Sequence, residues 1–227
     1  MKLSADRIVE AGLAVFAEAG YHGVSMRRVA ERLNAQAGSL YYHVPNKGAL
    51  LQLMADRMAR QAYDAGTAAL ADLPERASWQ AQVEAQATSL RRSIRQHPGG
   101  AVMLADSPKL LSVGALSLME RLLQTLSTAG VPEHHRGIAA DTLFSHITGF
   151  VLQEQGDPPA PHVTAQDTAD LHERFPMTVA VASSHTEDEQ FILSVRLICT
   201  GIGQLIGAPS NTPAGDSPCP KLSSSVK

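Results

Sequence analysis

The segment from Gly38 to Leu51 concentrates residue types that can recognise nucleic acid: small polar residues, a Tyr-Tyr-His run and a lysine that follows a proline. Glutamine and serine can hydrogen-bond to base edges in a major groove, whereas lysine can bind phosphate and arginine can bind phosphate or guanine. The sequence therefore predicts a DNA-binding surface. The residues expected to contact DNA are Arg27, Arg28, Gln36, Gly38, Ser39, Tyr41, Tyr42, His43 and Lys47.

Two short helices and a tight turn would position these residues as a helix-turn-helix. Apolar side chains recur on one helix face in residues 25–33, and Ser25 is a good N-cap. Asn34 suits the turn because asparagine tolerates a left-handed backbone. A second helix over residues 36–43 would bury Leu40 and turn a small, polar side outward.

A third helix is predicted to begin directly after this segment. Pro45 ends the second helix, and Asn46 can cap the next one. The free N–H groups at that helix start, together with Lys47, form an anion site suited to a phosphate group. Lys47 is therefore expected to contact the DNA backbone.

Several of these residues have two possible roles. Arg27 and Arg28 can supply either phosphate contacts or a guanine contact. Tyr41 is as well suited to packing in the core as to donating a hydrogen bond to a phosphate. For Tyr42 and His43, the helix phase favours DNA contact over core packing.

Charge is distributed in agreement with a DNA-binding N-terminus. Residues 1–60 contain eight Lys or Arg and five Asp or Glu, whereas the remaining residues contain eleven and seventeen, and the whole chain has a formal net charge of −3. A chain with this overall negative charge is not expected to bind nucleic acid non-specifically along its length. Its DNA affinity therefore has to come from a local basic surface. Sequence selectivity is the natural expectation.

The whole chain is predicted to be all-α, because apolar residues recur at three and four positions and no segment shows sustained alternation. We expect an N-terminal helix-turn-helix domain over 1–46, a larger helical domain over 47–207 and a disordered tail over 208–227, which is rich in proline and serine. Beyond the helix-turn-helix, helices are predicted over 47–71, 79–96, 101–106, 110–129, 133–154, 167–183 and 187–205, with a Pro-rich loop over 156–164.

Residues 8–54 resemble the DNA-binding domain of the TetR family of bacterial transcriptional regulators. The resemblance rests on a first helix over 8–19, the Gly20–Gly23 turn, the segment 25–30, and the run 40–47 that continues into Leu50 and Leu51. It implies a three-helix DNA-binding domain in a homodimer. Such a homodimer would place two recognition helices in successive major grooves of a double-stranded, pseudo-palindromic operator.

Residues 79–205 resemble, more faintly, the C-terminal domain of the tetracycline-repressor type. That resemblance implies that the helices over 133–154 and 187–205 form a four-helix dimer interface, and that the remaining helices enclose a pocket for a small effector. The residues that align with pocket positions of that type are Tyr63, Gln86, Leu90, Leu104 and Glu120.

The same resemblance argues against a magnesium–drug chelate as the effector. Where proteins that bind such a chelate have a histidine after the Gly-Ala step, this chain has Met103 or Leu104, and Tyr63 replaces another pocket histidine. Neither Met103 nor Leu104 can bind Mg²⁺. We therefore expect an apolar effector without a metal, and no cofactor.

Other classes of protein find little support in the sequence. No nucleophile elbow, His-Glu-x-x-His pair or phosphate-binding loop is present, so an enzyme is disfavoured. Cys199 and Cys219 show no spacing typical of a disulfide framework or a zinc site, and the most apolar run, 191–208, is too short and too polar to span a membrane. The N-terminus lacks the apolar core of a signal peptide, so a cytoplasmic location is expected.

The function predicted from the sequence is that of a homodimeric repressor released from its operator by a small-molecule effector. An effector-independent or activating DNA-binding regulator is the alternative, because the function of a pocket is not visible in a sequence.

Overall fold

A computed structural model describes residues 2–106, 112–156, 165–182 and 185–207. Within these ranges the chain forms eleven α-helices and no strand, which confirms the all-α prediction. The helices are α1 (Ala5–Gly23), α2 (Met26–Arg32), α3 (Ala37–Leu40), α4 (Lys47–Ala71), α5 (Trp79–Arg95), α6 (Gly100–Asp106), α7 (Val113–Thr128), α8 (Glu133–Glu154), α9 (Ala165–Arg174), α10 (Pro176–Ala182) and α11 (Glu187–Gly203).

The N-terminal domain consists of α1, α2, α3 and the first half of α4 around one hydrophobic core. Phe16 of α1, Val29 of α2 and Leu40 of α3 are fully buried there. The core extends beyond residue 46, because Leu50 and Met54 of α4 pack into it. The helix that follows the helix-turn-helix is therefore a structural part of the N-terminal domain.

The C-terminal domain has a second core, formed by the second half of α4 together with α5, α7, α8 and α11. Helix α5 lies at its centre, in contact with α4, α7, α8 and α11. Ile94, Leu126 and Leu143 are among the side chains buried there. This arrangement leaves one side of α8 and one side of α11 without a packing partner in the described part of the chain.

Hydrogen bonds at the break between α5 and α6 hold the short helix α6 between the two domains. Gly99 has a φ of +77°, a left-handed conformation that glycine adopts without strain, and it packs against Phe16. The Gln155 side chain donates to the carbonyls of Ile94 (3.2 Å) and His97 (2.8 Å). Gln155 also accepts from the Ala101 amide at 3.2 Å, so both sides of the break between α5 and α6 are anchored to the end of α8.

The predicted helix boundaries agree with the structure in the longest elements and differ in the shorter ones. Helices α4 and α8 have the predicted bounds. Helix α1 begins three residues before the predicted 8–19, and its regular part ends as predicted, because Gly20 has a non-helical φ of +67° at the start of the predicted Gly20–Gly23 turn. The prediction of one continuous helix over 167–183 is wrong. Helices α9 and α10 are separate and meet at Phe175. The ring of Pro176 sterically disfavours the helical conformation at this preceding residue.

The second helix of the predicted helix-turn-helix is shorter than expected. Helix α3 spans Ala37–Leu40 instead of 36–43, and residues 41–43 form a turn. The amides of His43 and Val44 both donate to the Leu40 carbonyl at 2.9 Å, so the chain tightens before it reaches Pro45. The start of the helix predicted over 110–129, most of the loop predicted over 156–164 and the tail predicted over 208–227 lie outside the described residues.

The described part of the chain shows neither a membrane span nor a metal site. None of its helices is long and apolar enough to cross a membrane. No group of three or more of its His, Cys, Asp or Glu side chains is placed to hold a metal ion. Cys199 is buried in α11, and burial raises the pKa of its thiol to about 11.

A buried charge cluster joins α5, α8 and α11. The side chains of Arg91 and Glu154 are each only 6% exposed, and Arg91 donates to both carboxylate oxygens of Glu154, at 3.1 Å and 3.2 Å through Nε. Arg91 also pairs with Asp188 at 2.7 Å, and its guanidinium lies 4.7 Å from the ring centre of Phe191. The hydrogen bond to Glu154 raises the pKa of Arg91, with a further contribution from Asp188.

Arg91→Met would leave the buried carboxylate of Glu154 with only the longer, partly exposed contact to Arg95 at 3.7 Å. The variant should therefore lower the free energy of unfolding by about 3 kcal/mol, the lower end of the range for breaking a buried pair. The double variant Arg91→Met/Glu154→Leu should recover much of that loss, because it removes both charges and fills the space with apolar side chains. Urea unfolding at one fixed protein concentration measures these changes.

The matched control is Arg196→Met, which breaks an exposed ion pair with Glu84 between α11 and α5 and should have little effect. Losses that simply add in the double variant would show that the Arg91–Glu154 pair is not a coupled buried unit.

Candidate DNA-binding surface and effector cavity

The helix-turn-helix has the cap and turn that the sequence predicts. The Arg28 amide donates to the Ser25 hydroxyl at 3.3 Å, which caps α2. Asn34 has a φ of 49°, the left-handed conformation expected at the turn. Leu40 and Val44, both fully buried, anchor α3 and the following turn in the core. The exposed side of this unit is therefore held in a fixed orientation.

Each of the nine residues predicted to contact DNA is exposed. Tyr42 is 92% exposed at the end of the recognition segment, and Tyr41 is 49% exposed, so neither is a core residue. Gly38 faces open space, because no atom lies within 4 Å of the position a Cβ would take. A surface without a protruding side chain at this point permits close approach of a DNA groove.

Intramolecular contacts of Arg27 and Arg28, at the start of α2, were not predicted from the sequence. Arg27 forms an ion pair with Glu31 at 2.9 Å, one turn along the helix. Arg28 donates to the Gly23 carbonyl at 3.2 Å. The Arg27–Glu31 spacing of four residues is the signal that could have identified this pair. Any DNA contact by Arg27 therefore has to compete with Glu31.

Lys47 is exposed at the first position of α4. The Asn46 side chain accepts from the Ala49 amide at 2.8 Å and caps this helix as the sequence predicts. Capping fixes the direction of the helix start, where free N–H groups and the partial positive charge of the helix dipole favour an anion. Lys47 adds a full charge at that end.

A cavity of about 340 Å³ lies in the C-terminal domain, between α4, α5, α6, α7 and α8. Its lining is almost entirely apolar, with two polar side chains, Asp141 and Thr148, both on α8. The lining residues are Ala59, Leu90, Ile94, Leu104, Ala115, Leu116, Leu118, Met119, Asp141, Phe144 and Thr148. Such a cavity has the size and the apolar character of a site for a small organic molecule.

The five residues aligned with effector positions are found in different places. Leu90 and Leu104 line the cavity. Gln86 lines a chamber of about 20 Å³ directly behind it, which shares Leu90 with the cavity. Tyr63 lies outside the cavity lining and packs under a guanidinium group, and Glu120 is exposed in a surface depression on the other side of α7.

A polar network closes the inner end of this region. Arg121 donates to Gln86 at 3.2 Å, to the Tyr63 carbonyl at 2.6 Å and to the Thr67 hydroxyl at 2.9 Å. Its guanidinium stacks 4.4 Å from the ring centre of Tyr63, and burial lowers its pKa. Gln86 in turn donates to Thr125 at 2.9 Å. The roles of Gln86 and Tyr63 in this structure are to satisfy a half-buried arginine.

The α8 contribution to the cavity was missed by the alignment with the tetracycline-repressor type. Asp141, Phe144 and Thr148 are spaced by three and four residues, so they share one face of a long helix. Their spacing alone shows only that they lie together, because a polar residue on a partly exposed helix is ordinarily solvated. The packing of α5 and α7 against α8 is what turns this face into a cavity wall.

The architecture and the exposed helix-turn-helix define a two-domain, all-helical DNA-binding protein. Residues 8–54 match the family described as bacterial regulatory proteins, tetR family, and residues 71–206 match the tetracyclin repressor-like C-terminal domain. The second match alone covers more than half of the chain. The chain belongs to the TetR family of DNA-binding transcriptional regulators, as its resemblance to that family predicts.

Curated relatives carry names of the same kind. The chain is 33% identical over 147 residues to the HTH-type transcriptional repressor DrrR1 of Streptomyces coeruleorubidus. The aligned residues cover 65% of this chain and 52% of DrrR1. It is 29% identical over 156 residues to the tetracycline repressor protein class D of Escherichia coli. The aligned residues cover 68% of this chain and 67% of the class D protein. The chain thus spans about half the length of DrrR1.

Solved structures cover a larger share of the chain. The TetR family protein ActR of Streptomyces coelicolor, in complex with (S)-DNPA, superposes with a TM-score of 0.73 at 27% identity, covering 91% of this chain and 100% of that one. A TetR transcriptional regulator of the same organism superposes with a TM-score of 0.71 at 30% identity, covering 90% and 100%. Both domains of this chain therefore have counterparts in single solved proteins.

Proposed function

We propose that this protein is a homodimeric repressor that leaves a pseudo-palindromic operator when a small, largely apolar molecule occupies the cavity. The observation that carries the proposal is the position of the cavity directly beside the core of the DNA-binding domain. A regulator of this kind acts where the chromosome is, so we place it in the cytoplasm. Names of relatives support the direction of control, since DrrR1 and the class D protein are both called repressors.

Two neighbouring residue pairs link the cavity to the DNA-binding domain. On α4, Ala59 lines the cavity, whereas the adjacent Met58 is 2% exposed in the N-terminal core. On α6, Leu104 lines the cavity, whereas Met103 is 1% exposed in the N-terminal core. A ligand that moves α4 or α6 therefore moves side chains on which the helix-turn-helix rests. The complex of ActR with (S)-DNPA supports ligand binding in this fold.

The energetic requirement for such a switch is modest. A ligand shifts the balance between two conformations only by the difference in its affinity for them, typically ~1–3 kcal/mol of coupling. Close-packed cores transmit small displacements because they cannot absorb them by compression. The contact of α6 with α1 provides a second route. At this contact, burial raises the pKa of Tyr21, and a hydrogen bond to Asp106 of α6 raises it further.

The proposed homodimer uses the free faces of α8 and α11. Ile138 of α8 is 69% exposed and Leu197 of α11 is 73% exposed, and Leu152 and Leu193 add two more exposed apolar side chains to the same two helices. Several exposed apolar side chains on neighbouring helices are typical of an interaction surface. Gly149 and Gly201 on these helices have nothing within 4 Å of a potential Cβ, so a partner helix can approach closely. Four helices, two from each copy, would cover these faces.

For DNA contact, we propose that the exposed face of α3 and its following turn enters a major groove, with Gln36 and Ser39 toward base edges. Lys47 and the start of α4 are assigned to phosphate.

Gln36→Ala should reduce affinity for the operator by about 1–3 kcal/mol and leave competitor binding almost unchanged. Lys47→Ala should weaken binding to every sequence and reduce the slope of log affinity against log salt by about one.

These two variants are compared by mobility shift across a salt series, on an operator selected from random duplexes with the purified protein. Arg76→Ala is the control, since this exposed arginine lies in the connection between α4 and α5, remote from α3. If Gln36→Ala weakens operator and competitor equally, Gln36 does not read a base.

Dimerisation is tested by Leu197→Arg, which places a charge in the centre of the proposed interface. We expect the variant to sediment as a monomer and to lose operator binding, because each half-site alone supplies too few contacts. Val113→Arg is the control, because Val113 is also a largely exposed apolar residue (58%) but lies on α7, outside α8 and α11. A Leu197→Arg variant that remains dimeric would contradict this interface.

Effector control is tested by filling the cavity. Ala115→Phe on α7 adds a ring to the lining, so the variant should keep operator binding and become insensitive to compounds that release the unmodified protein. The compounds are two- and three-ring aromatic molecules, screened for release of a fluorescent operator. If none releases the unmodified protein, or if the variant responds equally, control through this cavity is excluded and the effector-independent regulator is favoured.

A further inference from the structure

The cavity has one polar wall and several apolar ones. Asp141, Phe144 and Thr148 follow one another along the same face of α8, so the two polar side chains flank an aromatic ring. Asp141 and Thr148 are two turns apart, roughly 10 Å along the helix axis. The residues contributed by α4, α5, α6 and α7 are alanine, leucine, isoleucine and methionine. Of the described side chains that line the cavity, those of α8 alone offer a polar partner to a ligand.

The carboxylate of Asp141 is available to a ligand. Asp141 is exposed at this edge of the cavity, and its side chain makes no hydrogen bond or ion pair within the described parts of the chain. Among the described residues that line the cavity, there is no lysine, arginine or histidine. The negative charge at the cavity edge is thus not neutralised from within the cavity.

The positive charge of Arg121, on the inner side of the cavity, is already engaged. Arg121 lies in the lining of the small chamber behind Leu118 and Phe144, outside the cavity lining itself. Its guanidinium donates to Gln86, to the Tyr63 carbonyl and to Thr67. A ligand in the cavity that carried a carboxylate would therefore meet the charge of Asp141 and no free cation among the described lining residues.

We propose that the cavity selects a hydrophobic amine: an aromatic or alicyclic skeleton held by the apolar walls, with one protonated amino group paired to Asp141. An ionised carboxylate accepts hydrogen bonds and cannot donate them, so it favours ammonium groups and, less strongly, hydroxyl groups. It repels anionic ligands by Coulomb interaction, which strengthens as the ligand excludes water. This assignment rests on the proposed function, since it names the chemical class of the effector.

Three probes with one skeleton separate charge from shape: 2-(1-naphthyl)ethylamine, 2-(1-naphthyl)ethanol and 3-(1-naphthyl)propanoate. Equilibrium dialysis against the full chain at pH 7 gives three dissociation constants. We expect the amine to bind about tenfold more tightly than the alcohol, equivalent to ~1.4 kcal/mol, and the carboxylate to bind most weakly. Release of a fluorescent operator should follow the same order.

Two variants assign the preference to Asp141. Asp141→Asn keeps the side-chain shape and removes the charge, so the amine should lose its advantage of about tenfold while the alcohol changes by less than about threefold. Glu75→Gln removes an exposed carboxylate from the connection between α4 and α5, away from the cavity lining, and should leave all three constants unchanged. Operator binding by each variant without probe reports that it is folded.

The outcomes distinguish the two levels of the proposal. If no probe binds, both the cavity as an effector site and this assignment are overturned. If the alcohol or the carboxylate binds as well as the amine, or if Asp141→Asn leaves the order unchanged, the amine assignment fails while control by an apolar effector stands. An amine preference lost in Asp141→Asn and kept in Glu75→Gln supports the assignment.

Discussion

The structure depends on one helix that belongs to two hydrophobic cores. Helix α4 is 25 residues long, roughly 37 Å, and packs its first half under the helix-turn-helix and its second half against α5 and α7. Its cap at Asn46 fixes where the helix starts, and the change of partner occurs between Met58 and Ala59. Because a continuous helix is stiff, the two domains cannot reorganise independently of each other. Under the proposed effector control, the position of the cavity at this change of partner makes α4 the link between the ligand and the helix-turn-helix.

The C-terminal domain combines a rigid side with an adaptable side. On the rigid side, Arg91, Glu154 and Asp188 hold α5, α8 and α11 together through charged hydrogen bonds that tolerate little displacement. On the other side, the cavity leaves α6 and α7 without close packing along part of their length. Occupation of the cavity would therefore displace α6 and the adjoining part of α4, while α8 and α11 keep their relative position. For the proposed homodimer, this division favours a mechanism in which the dimer interface remains intact while the DNA-binding domains change their separation.

The sequence predicts local structure well wherever a single residue has a decisive backbone requirement. Ser25, Asn34 and Asn46 cap or turn the chain as predicted, because capping and left-handed geometry are properties of a few neighbouring residues. The recurrence of apolar residues at three and four positions predicted the all-helical architecture. The lining of the cavity was only partly predicted, since Leu90 and Leu104 belong to it whereas Tyr63 and Glu120 do not. Cavities depend on how helices distant in sequence pack together, and aligned positions do not carry that information between relatives of about 30% identity.

The two polar features around the cavity illustrate why burial and partners, more than residue type, decide function. Arg121 and Asp141 are both charged residues close to Phe144, and either could be assigned to ligand recognition from the sequence. In the structure, the donors of Arg121 are already satisfied by a carbonyl, a hydroxyl and an amide, so recruiting it to a ligand would break three hydrogen bonds. Pairing with Asp141 breaks none among the described residues. The favourable electrostatic contribution of a ligand therefore comes from a positive charge beside α8, and the same carboxylate that attracts it excludes anionic molecules of equal shape.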